Sequence, residues 1–357
     1  MQKLLEELIE VGATLRKENG MYVASNGEHY MNFSWIRDIY YQAKPSLLLN
    51  KEEYRQTYTT LTDYYMGLNR KYDNKLQWLI DDPQIDSSCF IHPRFHHENL
   101  DEITSNWGNV QLDTFGYYIL AIVEGMEEGI VIPHAEEVCF DLIRVLDSIE
   151  YWDVHDNAIW EENAEVHASS VGAVISGLVH FATYFNIEDD LMIEKLVMKG
   201  LKVLEDLLPC ESISKEVDLA LLTLIYPFSV LDKEMSQTLV DNVTEQLERK
   251  RGVIRYHGDA YYNSHPNSTL GDRLGEELEW CMGFAFLAHA HKQLGNDEEA
   301  EKYFQKLLVI HELNKREGIP EGYYAKTNQE NDNQILGWPT GMMIDYIVKY
   351  KKDGLNK

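Results

Sequence analysis

Ile159-Trp160-Glu161-Glu162-Asn163, followed closely by Val166-His167-Ala168-Ser169-Ser170, is the stretch on which the reading of this chain turns. Ala168-Ser169-Ser170 opens a helix in small residues, and the chain then runs apolar from Val171 to Phe181, so a core helix is expected over 167–185. Two adjacent carboxylates precede that helix, directly after a Trp. An indole can stack on a pyranose face while its neighbour's carboxyl reaches a glycosidic oxygen, and an apolar wall keeps that carboxyl protonated. The plainer reading of the same residues is a first helical turn in which acids are favoured by the dipole.

Outward from this stretch, helical periodicity dominates. Leu4, Leu5, Leu8, Ile9 and Val11 set the pattern at the start. Helices are expected near 1–18, 35–49, 51–80, 110–128, 133–150, 167–185, 188–207, 214–226, 232–250, 277–294, 297–314 and 336–351, with Pro45 kinking or ending the second. Three longer gaps, at about 81–109, 251–276 and 315–335, mix aromatics, charges, Gly and Asn. Long loops inside a compact helical domain are usually functional or disordered, and the mixed, non-repetitive composition of these favours function. No linker or fixed repeat interrupts the chain, so one all-α domain spanning 1–357 is expected. Helices joined alternately by short and long connections suit an (α/α)6 barrel, although a two-layer helical array would read similarly.

Composition narrows the partners. A net charge of −28 with no offsetting Lys/Arg cluster excludes nucleic acid and disfavours a polyanionic glycan, leaving a neutral substrate. The 22 Tyr and 7 Trp suit a carbohydrate cleft, and buried aromatics would explain them equally well. Cys89, Cys139, Cys210 and Cys281 are widely spaced and read as reduced, buried thiols. The acidic, amphipathic start Met1-Gln2-Lys3-Leu4-Leu5-Glu6-Glu7 is unlike a signal peptide, and no apolar run approaches the ~20 residues of a membrane span. A cytoplasmic protein without membrane contact is expected; the oligomeric state is not legible.

Other segments carry polar side chains to helix starts. Trp35-Ile36-Arg37-Asp38 puts an Arg–Asp pair behind a Trp, which offers directional donors and acceptors to sugar hydroxyls or forms a plain ion pair. Trp107-Gly108-Asn109-Val110-Gln111-Leu112-Asp113 places Gln111 and Asp113 at another helix start, as site groups or as caps. His92, His96 and His97 cluster upstream, but their spacing matches no familiar zinc site, and no metal is expected. The loop 252–262 is rich in Tyr and reads equally as a sugar platform or a surface hairpin. Arg273 and Glu276 are candidate substrate contacts, and Trp338 is expected to stack or to pack at a helix start.

In this order the segments resemble glycoside hydrolase family 15, the glucoamylase group, and most of all the glucoamylase-like domain of phosphorylase kinase alpha and beta subunits. The resemblance rests on Trp-Ile-Arg-Asp at 35–38, Trp-Gly-Asn-x-Gln-x-Asp at 107–113, Ile-Trp-Glu at 159–161, Ala-Ser-Ser-Val-Gly at 168–172 and Ser-Lys-Glu-Val-Asp-Leu-Ala-Leu-Leu at 214–222. Glu277-Leu278-Glu279-Trp280 and Pro320-Glu321-Gly322-Tyr323-Tyr324 also look like family positions. It implies an (α/α)6 barrel that hydrolyses α-linked glucosides with inversion. It further implies Glu161 as general acid, Glu321 as general base, Arg37 and Asp38 as the grip on the terminal glucose, and Glu162 as a sugar contact or a tuner of Glu161. Trp35, Trp107, Gln111, Asp113 and Trp160 complete the expected substrate site. Many catalytic members follow the base with Glu or Gln, where this chain has Gly322.

The chemistry asks for one protonated carboxyl to donate to the departing oxygen and one ionised carboxyl to activate water. Inverting enzymes hold the two roughly 6.5–9.5 Å apart. Glu161 and Glu321 are 160 positions apart, so only the fold could bring them together; Glu161 is expected to have a raised pKa and Glu321 to be charged. The expected function is intracellular hydrolysis of a neutral α-linked oligosaccharide or glucoside, with no cofactor. The alternative is a non-catalytic carbohydrate-binding or regulatory domain like that of the kinase subunits.

Overall fold

The computed structural model describes residues 1–71, 75–83, 90–103, 107–188 and 190–351. In chain order the elements are α1 (Gln2–Leu15), β1 (Phe33–Trp35), α2 (Ile36–Ala43), α3 (Ser46–Leu49), α4 (Lys51–Lys71), α5 (Lys75–Asp81), β2 (Arg94–His96), α6 (Asp113–Glu127), α7 (Ala135–Ser148), α8 (Ala168–Phe185) and α9 (Leu191–Leu207). There follow α10 (Lys233–Leu247), α11 (Leu270–Arg273), β3 (Leu278–Trp280), α12 (Met282–Leu294), α13 (Asp297–Leu313), β4 (Gly322–Tyr324) and α14 (Gly337–Tyr350). Two strand pairs are antiparallel: β1 with β2, aligning Trp35 with Arg94, and β3 with β4, aligning Trp280 with Gly322.

The chain clusters into two compact units. One holds Lys17–Tyr22 and Asn32–Leu208; the other holds Met1–Arg16, Val23–Met31 and Pro209–Lys357. In the first, α6 and α8 pack backbone to backbone. A Cβ on Gly116 would stand 2.3 Å from the Ala173 carbonyl, and one on Gly177 would stand 3.1 Å from the Gly116 oxygen. Val171, Val174 and Leu178 of α8 and Ile119, Leu120 and Val123 of α6 are all buried, each worth about 1.5–3 kcal/mol when fully covered. By length and composition α8 could cross a membrane, but 72% of it is buried inside the protein, as befits a core helix.

Asp156 joins the starts of these two helices. Its fully buried carboxylate accepts from the Leu112 N–H at 3.0 Å and the Ser170 hydroxyl at 2.7 Å, and meets His167 Nδ1 at 3.0 Å. Tyrosines fill much of the remaining core. Tyr41 and Tyr117 share a 2.7 Å hydroxyl contact, and Tyr54 donates to the Ala121 carbonyl. A buried phenol needs such a partner, so these tyrosines serve the core.

In the second unit α12 packs on α10, α13 and α14, and α1 lies along α14. Glu277 orders the turn before β3 by accepting from the backbone N–H groups of Gly258 and Gly275.

The expected helices differ from the observed ones at instructive places. Pro45 divides 35–49 into α2 and α3, as its missing donor requires. The stretch 51–80 comprises α4 and α5, with 72–74 outside the described residues. Only a 3-10 segment, Leu219–Leu224, forms within 214–226. Asp218 is extended and caps Ala220, and the leucines there are buried on every side, so one helical stripe never develops. β3 occupies the start of 277–294. The described cysteines are free: Cys139 and Cys281 are buried but Cys210 is only half-buried, while Cys89 lies outside the described residues.

Candidate active site

Glu161 sits on a tight turn between the 3-10 segment Tyr151–Asp153 and α8. The Asn157 N–H donates to the Val110 carbonyl at 2.6 Å, the Asn157 amide to the Glu162 carbonyl at 2.6 Å, and the Glu161 N–H to the Ala158 carbonyl at 3.2 Å. Closing the turn places Ala158 (φ 48°) and Glu161 (φ 63°) in the left-handed region, which non-glycine residues rarely adopt. Gly108 makes room for it, since a Cβ there would lie 2.9 Å from the Glu161 carbonyl.

The Glu161 carboxyl is turned inward. Trp35 Nε1 donates to its Oε1 at 3.1 Å. Burial pushes its pKa up to about 8, against the pull of Arg37, Arg94 and the Trp35 hydrogen bond, with Asp38 pushing it up further. At neutral pH this carboxyl keeps its proton, as a general acid must.

Behind it, Arg37 binds three elements together. Its Nε donates to Asp113 at 3.0 Å, its Nη2 to Gln111 at 2.9 Å, and Nη2 again to the Ala158 carbonyl of the Glu161 turn at 3.4 Å. All three charged or amide side chains are buried, which fixes the orientation of each. Asp38, next to Arg37 in sequence, and Trp160, next to Glu161, are buried, and Glu162 is half-buried with its N–H on the Asn157 carbonyl. The Trp107 ring stacks on His92 with centroids 5.4 Å apart. His96 instead lies against Phe33, so the histidines serve separate ring contacts.

Glu321 precedes β4 in the other unit and is 2% exposed. Asn331 and Asn333 donate to its Oε2, Asn333 at 2.8 Å, and the Tyr30 hydroxyl donates to its Oε1 at 3.2 Å. Its backbone is fixed from both sides: the Cys281 N–H donates to the Glu321 carbonyl and the Glu321 N–H to the Asn333 carbonyl, each at 3.0 Å. Burial pushes this carboxyl above its ordinary value, while the three side-chain donors and Arg255 pull it back. Donors that stabilise the charged form are what a general base requires.

Gly322 has a packing reason. A Cβ there would stand 2.7 Å from Leu278 and 2.8 Å from the Glu279 carbonyl across the β3–β4 pair. The Tyr-rich loop also reaches this carboxyl's surroundings. Tyr261, 44% exposed, shares a 3.1 Å contact with the Tyr30 hydroxyl, Tyr262 accepts from Asn333 at 3.2 Å, and Arg255 grips Asp259 with two 2.6 Å bonds. Arg273 accepts from Asn263 through its carbonyl, Glu276 pairs with Lys326 at 3.3 Å, and the buried Trp338 lies edge-on to Phe286.

The structure thus brings Trp35, Arg37, Gln111, Asp113 and Glu161 into one bonded cluster. Sequence reasoning missed Tyr30, Arg94, Asp156, Asn331 and Asn333. The only signal for the two asparagines was the Asn-Asp-Asn run inside the third long gap.

A family model described as Glycosyl hydrolases family 15 matches residues 1–281. A probable phosphorylase b kinase regulatory subunit alpha of Caenorhabditis elegans is 27% identical over 240 residues, which is 58% of this chain and 19% of that protein. The chain spans about a fifth of the length of the curated relatives it matches. A glycosidase variant solved in complex with glucose superposes with a TM-score of 0.76 at 16% identity, covering 99% of this chain and 97% of its own. The glucoamylase of Saccharomycopsis fibuligera gives 0.69 at 14% identity, covering 98% and 94%. At these identities the likeness shows the fold, the all-α (α/α)6 barrel expected from the sequence.

Proposed function

Because the chain belongs to glycosyl hydrolases family 15, we propose that it is an inverting glycoside hydrolase releasing glucose from α-glucosides or short α-glucans, with the whole chain, 1–357, acting as one domain. The observation that carries this reading is the Glu161 carboxyl, held on a left-handed turn and bonded by Trp35, with burial pushing its pKa up to about 8.

In the proposed reaction Glu161 gives its proton to the glycosidic oxygen as the bond from that oxygen to the anomeric carbon breaks. Water adds to the opposite face of the sugar, and Glu321 takes the proton that water loses. Arg37, Gln111 and Asp113 hold the acid's turn, while Trp35, Trp107 and Trp160 supply ring surface and Asp38 and Glu162 supply acceptors for hydroxyls. Tyr30, Asn331 and Asn333 stabilise the charged base. Glucose bound to a structural neighbour supports a sugar ligand.

The second reading is a regulatory carbohydrate-binding domain, favoured by the regulatory-subunit relatives. Incubation with maltose, maltotriose, isomaltose and trehalose, followed by proton NMR, separates the two. Hydrolysis is expected to yield β-glucose first from at least one substrate, with activity falling as pH rises through about 8, where Glu161 loses its proton. A sugar-induced rise in melting temperature without product on the whole panel would support the regulatory reading instead.

A further inference from the structure

Arg94 stands directly across the β1–β2 ladder from Trp35, the residue whose indole N–H donates to Glu161. Its guanidinium carbon lies 4.1 Å from the Phe33 ring centroid, 4.7 Å from that of Trp35 and 5.4 Å from that of Trp107. A cation over a ring face gains about 0.5–1 kcal/mol at exposed sites and more where water is excluded, so three rings around one guanidinium fix both. Lysine could supply the charge but not the planar stacking surface. The neighbouring His92 cannot supply the charge, because burial and the cations Lys75 and Arg94 bring its pKa down to about 4.

We propose that Arg94 is a positioning residue that clamps the Trp35 indole onto Glu161 and supplies a positive charge that eases the acid's deprotonation. This rests on the reading of Glu161 as the proton donor. Among the described residues, the charged groups that act most on Glu161 are Arg37 and Asp38 from α2 and Arg94 from β2. Asp113, at the start of α6, acts on Arg37 by direct pairing. Arg37 also carries the turn backbone, so its removal would confound charge with structure. Arg94 reaches the carboxyl through Trp35, so its charge can be removed while the turn's own hydrogen bonds remain.

The sign follows from electrostatics: loss of a nearby positive charge disfavours the carboxylate and raises the pH at which the proton leaves. The test reads Glu161 without requiring turnover. The Trp35 indole N–H resonance, assigned by its loss in Trp35→Phe, is followed through a pH titration. The wild-type midpoint is expected near 8 and the titration should vanish in Glu161→Gln. Arg94→Met should move the midpoint up by roughly one pH unit, and Arg94→Lys should return it toward the wild-type value. The high-pH limb of kcat/KM should move in the same direction. If Arg94→Met does not fold, Arg94→Gln takes its place. A folded charge-removing variant with the wild-type midpoint overturns the proposal. A midpoint that moves in a protein that releases no glucose overturns the hydrolase reading and leaves the clamp standing.

Discussion

Glu161→Gln is expected to lower kcat by about 10²–10⁴-fold at neutral pH while leaving sugar affinity nearly unchanged. Glutamine keeps the shape and the acceptor that Trp35 Nε1 addresses at 3.1 Å, and it keeps the left-handed backbone, but its amide has no proton to give. The same variant has a stability signature. A carboxyl whose folded pKa is raised favours the folded state only while protonated, so wild-type stability should fall as pH rises from 4.5 toward 8. Glu161→Gln removes that slope.

Glu321→Gln should cause a loss of similar size. Its carbonyl can still accept from Asn331 and Asn333, and its amide can donate to the Tyr30 hydroxyl, so folding is spared while the proton acceptor is gone. Glucose release at the wild-type rate from either variant would contradict the assignment of the corresponding residue.

Asp156→Ala is the expected large stability change. It strips the acceptor from the Leu112 N–H, the Ser170 hydroxyl and His167 Nδ1 inside the buried core. Each buried group left unpaired costs about 1–3 kcal/mol, so a total of roughly 3–5 kcal/mol is expected, read as a lower denaturant midpoint. Activity should fall with it, because the start of α6 carries Gln111 and Asp113, and these hold Arg37 on the Glu161 turn. Asp156→Asn retains one acceptor and should be milder. An unchanged unfolding midpoint in Asp156→Ala would show that the node carries no load.

Much of this was legible in the sequence because long helices advertise themselves. The runs that became α7, α8, α9 and α13 carry a stripe or a continuous apolar face, and their bounds fall within a few residues of expectation. The three-residue strands were hidden, since a ladder that short has no period to detect. The segments around Trp35, Gln111 and Glu161 announced a site through clustered aromatics and polar groups at helix starts, and the structure bonds them together. Asp156 gave no such signal: one acid between Val154-His155 and Asn157 looks like a loop residue until the fold buries it. The surplus of tyrosine left cleft and core equally open, and Tyr41, Tyr54, Tyr117 and Tyr118 belong to the core. The hydrogen-bond partners of Glu321 were also beyond local reading, since Tyr30, Asn331 and Asn333 are brought to it by the fold.

The positive φ of Glu161 has an evolutionary corollary. A left-handed conformation costs a side-chain-bearing residue about 1–2 kcal/mol, a burden glycine would not bear and asparagine would bear lightly. Were the carboxyl idle, mutational drift toward either would be rewarded with stability. A descendant lineage that relinquishes hydrolysis should therefore betray itself first at this one position, before the surrounding tryptophans and the arginine behind them erode.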